Sequence, residues 1–399
     1  MVRLDADLLG ARSRNCVMTI AYKLAAPIAP ERVVVEAHRG GVEVIDNLAD
    51  EWRTLCSQAA DDQPFYRPEW IRAHLSAFVP GAKVLLITAR LERRLCLLLP
   101  MVEEKHMFSG LPVRRLRSPV NAHAGRFDAV RTLGPEGDAA ISATWDFLKE
   151  LGCWDLLEFP YTPAVSTIDR LMAKAGESGF RTVQVPDKPN PYVPVPADPE
   201  LLNQMPLNSR LRTKLRQARR ELGKRGSLNF FRVDLDDRGA LDGFYQLEAS
   251  GWKGQQGSAI ACSMRTRQFY DEIAKWAARF GYFSLYMLEL NGQLLAAHFS
   301  LTSANRCYSP KVAYNETFKQ FAPGHLIMGE ILRDCAQRGI QGFDITGSND
   351  DWKMKWTSQT RAVNHHFVFK GAMGNLAYAI RFRLRPAIAR QLPRKPKSA

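Results

Sequence analysis

The stretch from Tyr282 to Trp356 constrains the fold more than any other part of the chain, because it sets out an unbroken order of elements. An apolar run from Tyr282 to Leu290 meets Asn291-Gly292, a dipeptide suited to the positive φ angles of a two-residue hairpin turn. A returning strand is predicted from Leu294 to Leu301 and a third from Arg306 to Tyr314. Phe321-Ala322-Pro323-Gly324-His325 then makes a tight loop opening a helix that runs toward Arg338. The next strand, Gly342 to Thr346, stops at Gly347, and the basic aromatic run Trp352-Lys353-Met354-Lys355-Trp356 follows. A helix preceded by such a loop turns unpaired backbone N–H groups and the positive end of its dipole toward whatever lies ahead. Phosphate is the usual occupant of that geometry.

The 399 residues suffice for roughly two or three domains. With 46% hydrophobic and 24% charged residues, the composition is that of a soluble globular protein. No apolar run reaches the roughly 18 residues of a spanning helix. Asp5, Asp7, Arg12 and Arg14 interrupt any signal-peptide pattern, so a cytoplasmic protein is expected. The seven cysteines are scattered, with no C-x-x-C pair, and the closest histidines, His365-His366, would point to opposite faces of a strand. Neither a disulfide frame nor a metal site is expected.

A net charge of +14 calls for an anionic partner, and its distribution narrows the choice. Between Ser209 and Arg225 lie Arg210, Arg212, Lys214, Arg216, Arg219, Arg220, Lys224 and Arg225. Leu211, Leu215, Ala218 and Leu222 recur there at helical spacing, which makes an amphipathic helix capped by Ser209. The second basic segment is the tail from Arg381 to Lys397, where Arg381, Arg383 and Arg385 alternate with Phe382, Leu384 and Pro386. Peripheral contact with an anionic membrane is one reading of that tail, and a solvated end packing its apolar residues is the other. No nucleic-acid motif accompanies either patch, so nucleic acid is not the expected partner.

The order of elements repeats. Phe65-Tyr66 starts a helix leading into strands Val84 to Thr88 and Leu95 to Met101, just as Phe269-Tyr270 leads into the hairpin around Asn291-Gly292. A helix ending near Glu150 and the strand Trp154 to Phe159 echo the helix before Gly339 and its following strand. The reading is a disordered segment at 1–30, a first lobe at 31–185, a proline-rich linker at 186–208, a second lobe at 209–375 and a basic tail at 376–399. Hairpins mixed with helices predict α/β (α+β) lobes with mixed, largely antiparallel sheets.

Gly251-Trp252-Lys253-Gly254-Gln255-Gln256-Gly257-Ser258-Ala259 comes close to a W-K-G-x-x-G-[ST]-A motif. Together with Ala322-Pro323-Gly324-His325-Leu326, the strand end Asp344-Ile345-Thr346-Gly347 and Trp352-Lys353, it resembles the GNAT-superfamily acyltransferases of the CelD type. Those are associated with cellulose and exopolysaccharide biosynthesis and are similar to the two-lobed FemAB aminoacyl transferases. The resemblance covers roughly Arg210 to Thr357 and implies two tandem GNAT-like lobes, with acetyl-CoA or another acyl-CoA as co-substrate. The acceptor it implies is a sugar, amine or lipid-linked precursor. A FemAB-like enzyme using charged tRNA, or a non-catalytic ligand-binding module, are the alternatives. One departure stands out: the usual Q/R-x-x-G-x-G/A donor loop is reduced to Gln320-Phe321-Ala322-Pro323-Gly324, with a single glycine.

Acyl transfer needs a proton acceptor, a donor to the carbonyl oxygen and a proton for the leaving thiolate. Candidates flank the donor loop. Tyr308 and Tyr314, evenly spaced, would share one face of a regular strand, either for catalysis or for packing. Asp344 is placed to act as base, or is a carboxylate satisfied by its neighbours. Donor binding is expected from Ala322, Pro323, Gly324, His325 and Leu326. The resemblance implies a role near donor phosphate or acceptor for Lys353. On an extended segment Lys355 would share its face. Trp252-Lys253, in a glycine-rich loop, is expected to form an acceptor platform or to plug the lobe interface.

Overall fold

The computed structural model describes residues 33–59, 61–123, 125–204 and 209–385. The segment 1–30, Pro206 of the linker and the tail beyond Arg385 lie outside the described residues.

Two mixed sheets form the frame. In the first, the strands lie in the order β1 (Val33–Gly40), β2 (Lys83–Leu91), β3 (Arg94–Phe108), β4 (Leu111–Arg117), β6 (Leu156–Pro163), β15 (Val363–Phe369) and β7 (Arg181–Pro186). The short β5 (Val130–Arg131) pairs with β3. In the second, the order is β14 (Thr360–Arg361), β8 (Asn190–Pro194), β13 (Gly342–Asp344), β12 (Arg306–Tyr314), β11 (Gln293–Ser303), β10 (Phe283–Leu290) and β9 (Leu228–Val233). Around the first sheet lie α1 (Glu43–Gln58), α2 (Pro68–Phe78), α3 (Pro135–Glu150), α4 (Thr167–Glu177) and, after β15, α11 (Gly371–Tyr378). The second carries α5 (Ser209–Gly223), α6 (Arg238–Ser250), α7 (Trp252–Gln255), α8 (Met264–Arg279), α9 (Pro323–Gln337) and α10 (Asp351–Met354).

The expected repeat is visible as topology. β2-β3-β4 and β10-β11-β12 are antiparallel meanders, each followed by one helix, α3 or α9. Each helix returns the chain to a strand parallel to the third, giving β4 beside β6 and β12 beside β13. Asn291 (φ 52) and Gly292 (φ 78) occupy the tight turn between β10 and β11, as two positive φ angles in succession require.

The boundaries expected at 186 and 375 do not coincide with the sheets. β8, inside the proline-rich segment, enters the second sheet between β13 and β14, whereas β15 crosses back to lie between β6 and β7. Proline bars a helix there but not an extended strand. Pro191 has no N–H to give the ladder, but its carbonyl accepts from the Ile345 amide at 3.2 Å. The two lobes also share one core, in which Trp70 of α2 meets Phe269 of α8 edge-on at 5.1 Å and Phe65 meets Tyr308 at 5.4 Å. At the C-terminal end Phe382 packs on Phe367 and Tyr378, while Arg381, Arg383, Leu384 and Arg385 are exposed. No helix among the described residues is long and apolar enough to cross a membrane.

Candidate active site

The second sheet opens at one end. β12 and β13 pair in parallel only from Arg306↔Gly342 to Tyr308↔Asp344, and beyond that point they part. β12 also carries a bulge, since the residues from Tyr308 to Lys311 span only Leu301 to Phe299 on β11. Pro310, which has no amide hydrogen to give the ladder, sits within it. The extra residue shifts the alternation, so Tyr308 and Tyr314 lie on opposite faces, contrary to their even spacing. Tyr308 is fully buried at the lobe junction and Tyr314 is 37% exposed.

The opening is a cavity of about 570 Å³. One wall is β12 from Val312 to Tyr314, another is Ala322 to His325 at the start of α9, and a third is Trp252 and Lys253 on α7. Lys214 from α5 and Lys319 add positive charge, and Trp352 closes the side nearest α10.

At α9 the unusual conformation belongs to Ala322, which adopts the left-handed region (φ 50), and not to Gly324. Pro323 has no N–H, and the amides of His325 and Leu326 both return to the Ala322 carbonyl, at 2.9 and 3.1 Å. Among the described residues the Gly324 N–H is therefore the amide at this helix end without a protein partner. Gly324 lines the cavity, and a Cβ there would meet only the Tyr314 side chain, at 3.8 Å or more. No acidic residue stands in the first turn to compete with an anion.

The Trp-Lys-Gly motif is a short helix and not a flexible loop. The Trp252 amide donates to Glu316 Oε1 at 2.8 Å, and a Cβ on Gly254 would overlap the Ala249 carbonyl oxygen. Trp252 is left 47% exposed on the cavity rim. Lys253 turns inward: its Nζ donates to the Val312 carbonyl at 2.7 Å and to Glu248 Oε1 at 2.9 Å. Glu248, wholly buried, accepts the Ile260 amide at 2.8 Å on its other oxygen. Because Ala313 pairs with Ala297 in the β11 ladder, Val312 and Tyr314 direct their backbone groups away from it, and the Val312 carbonyl is found there on Lys253.

Several expected residues lie elsewhere. Leu326 is buried in the core behind α9. Asp344 is fully buried but does not reach the cavity. Its Oδ2 accepts Arg126 of the first lobe at 2.8 Å and its Oδ1 the Thr346 amide at 3.0 Å. Lys353 straps its own loop, donating to the Thr346 and Ser348 carbonyls at 2.8 and 2.9 Å and pairing with Asp350 at 3.3 Å. That loop needs a strap, because Thr346 (φ 52) and Gly347 (φ 61) are both left-handed. Lys353 and Lys355 do not share a face: Asp351–Met354 is helical, so Lys353 is buried and Lys355 exposed.

Among the wall residues, Glu248, His298 and Lys319 carried no sequence signal that singled them out. His298 Nδ1 lies 2.9 Å from Ser309 Oγ, and Nε2 is the remaining ring nitrogen. Burial pushes His298 down to about 3, so it stays neutral near pH 7. His325 accepts the Trp356 indole N–H at 2.9 Å and is pushed down to about 4, mainly by burial and further by Lys355 and Lys214. His74, buried with both ring nitrogens unbonded, is likewise held at about 3 by burial.

The buried histidines set a pH dependence. A histidine depressed below its unfolded value of about 6.5 stabilises the fold fully above that pH and loses the contribution as pH falls toward the folded value. His74 and His298 should each remove on the order of 2 kcal/mol by about pH 5, above most of the carboxylate range. Urea denaturation at stepped pH checks this. A stability that stays flat from pH 7 to 5 contradicts it.

Residues 209–354 match the family model described as the acetyltransferase (GNAT) domain. No curated protein matches the sequence. Among solved structures, FemX is similar at 12% identity and a TM-score of 0.57, covering 87% of this chain and 99% of that one. The C-terminal domain of a putative lysylphosphatidylglycerol synthetase from Agrobacterium fabrum is similar at 12% identity and TM-score 0.50, over 86% of this chain and 96% of that one. L-PGS from Bacillus licheniformis is similar at 10% identity and TM-score 0.50, over 87% and 97%. At these identities the likeness is one of fold. Among the described residues no group of three His, Cys, Asp or Glu side chains could hold a metal ion.

Proposed function

We propose that the chain is a GNAT-type acyltransferase that takes an acyl-CoA in the cavity of the second lobe and passes the acyl group to an amine or hydroxyl. The observation that carries this is the meeting, in one opening, of the unpartnered Gly324 amide, Lys214 and Lys319, and the parted end of β12. One amide is a sparse cradle for a pyrophosphate, and the two lysines supply the charge the missing glycines do not. When bound, the thioester supplies an activated acyl carbonyl. The Val312 and Tyr314 amides, directed out of the β11 ladder, are the groups that would donate to its oxygen. His298, neutral and on the wall, would accept a hydrogen bond from the acceptor's N–H or O–H, whose proton leaves with the CoA thiol, and Trp252 on the rim is the acceptor platform. A sugar or lipid-linked precursor of an envelope polysaccharide is the acceptor class this reading favours.

The first lobe repeats the topology but not the site. α3 begins with Glu136 and Asp138 in its first turn, paired with Arg94, Arg131 and Arg170. A Cβ on Gly137 would overlap the Thr132 carbonyl, so the chain lies directly over that helix end. One donor per chain is therefore expected.

Calorimetry with acetyl-CoA tests the proposal: saturable binding at a stoichiometry near one, lost in Gly324→Val and kept in Gly324→Ala. Valine places branched bulk beside the free amide, whereas alanine meets only ordinary contact. Normal binding by Gly324→Val would place the donor elsewhere. An aminoacyl-tRNA donor is the second reading, favoured by basic α5 reaching the cavity through Lys214. Absence of acetyl-CoA binding with retained tRNA binding would select it.

A further inference from the structure

A second cavity, of about 620 Å³, lies at the other end of β12, at Arg306 rather than Tyr314, and shares no wall residue with the donor cavity. The first lobe builds most of it, from Asp61, Gln63 and Tyr66, from Arg126 and Asp128 to Arg131, and from Pro163 to Thr167 with Asp169 and Arg170, and Arg306 and the 361–363 crossing segment complete it. Its volume is that of a small-molecule site.

The hydrogen-bond inventory of the wall is one-sided. Its acids are already engaged. Asp128 accepts three backbone amides, from Ala129, Thr167 and Ile168, at 2.9 to 3.0 Å. Asp169 accepts the Ser166 amide and lies 3.0 Å from His366, and Asp61 accepts Arg306 at 2.8 Å. Burial also pushes Asp128 up to about 7, which removes much of its charge.

Donors remain in surplus. Five guanidiniums line the wall, from Arg126, Arg131, Arg170, Arg306 and Arg361. Arg131 and Arg170 share the single carboxylate of Asp138. Arg361 has no carboxylate partner among the described residues. Its guanidinium lies 4.1 Å from the centre of the Tyr192 ring, which holds the fork in place. Tyr66, 4% exposed and on the wall, has a hydroxyl with no protein partner. A buried hydroxyl left unbonded is costly, and a rigid guanidinium without an acid is a fork waiting for an oxyanion.

We propose that this cavity binds a small organic anion bearing a carboxylate or phosphate group, with Arg361 as the anchor and the Tyr66 hydroxyl as a second contact. The site is independent of acyl-CoA, and nothing in it depends on the second lobe's reaction.

Thermal shift and calorimetry with three probes test this: inorganic phosphate, glycerol 3-phosphate and citrate. A saturable shift with glycerol 3-phosphate alone, or with citrate alone, supports the site and selects phosphate or carboxylate. Arg361→Gln should weaken that binding roughly tenfold or more, as loss of a charge-assisted fork does. Tyr66→Phe removes only an unbonded hydroxyl, so it should fold normally and bind the probe several-fold more weakly. Lys319→Gln, on the donor cavity, should bind it as the wild type does, while acetyl-CoA binding should be unchanged in Arg361→Gln. No saturable shift with any probe overturns the proposal, as does a shift equal in wild type and both first-cavity variants.

Discussion

Arg126→Met should destabilise the protein by about 3–5 kcal/mol, the penalty for removing one partner of a buried ion pair. The expected loss is large because Asp344 is shut off from bulk solvent. It is wholly buried, and without the guanidinium it keeps only the Thr346 amide. Arg126 also holds Asn190 Oδ1 at 2.9 Å and Gln63 Oε1 at 3.2 Å, so one side chain ties the first lobe, the crossing strand β8 and the second lobe together. Asn190 in turn donates to the Gly347 carbonyl at 2.6 Å, linking the pair to the left-handed turn that Lys353 straps. Replacing both partners, as Arg126→Met with Asp344→Leu, should recover much of the loss, since no buried charge is then left alone. Urea denaturation of the single and double variants measures this. If Arg126→Met unfolds at the wild-type midpoint, the lobes are held by the apolar core alone. If Asp344→Asn keeps full stability but abolishes acyl transfer, the carboxylate acts in the chemistry instead.

The contrast between what was legible and what was not follows the range of the interactions. The hairpin at Asn291-Gly292, the helix opened by Ala322-Pro323 and the basic helix at Ser209 depend on neighbours within a few residues, so the sequence carries them. That Trp252, Lys253 and Ala322 to His325 would meet around one opening follows the same local signals, and all of them line the second-lobe cavity. Tyr308 and Asp344 were misplaced because their positions depend on a bulge and on an arginine 218 residues away, and neither leaves a local pattern. Lys353 and Lys355 were misread by period, since a four-residue helix separates side chains that an extended segment would align. The return of β15 to the first sheet was invisible for a further reason. Alternation in Val363 to Phe369 marks a strand but names no partner.

Lys253→Met should cost about 3 kcal/mol or more and remove acetyl-CoA binding together with it. The ammonium sits between two acceptors that have little else. Glu248 is buried, and its nearest other cation, Lys311, stands 3.8 Å away. The Val312 carbonyl, directed out of the β11 ladder, would lose its donor altogether. The same lysine thus neutralises a buried acid and fixes the strand segment whose amides face the acyl group in the proposed reaction. Glu248→Gln keeps the shape and the contact to the Ile260 amide while removing the charge, so it should be milder in stability than Lys253→Met. A double-mutant cycle of the two, read by urea denaturation, should show strong coupling, and donor affinity should fall in step with the loss of the Val312 contact. A Lys253→Met protein with wild-type stability and normal acetyl-CoA affinity but no turnover would mean that the lysine acts on the reacting groups themselves rather than by holding β12 in place.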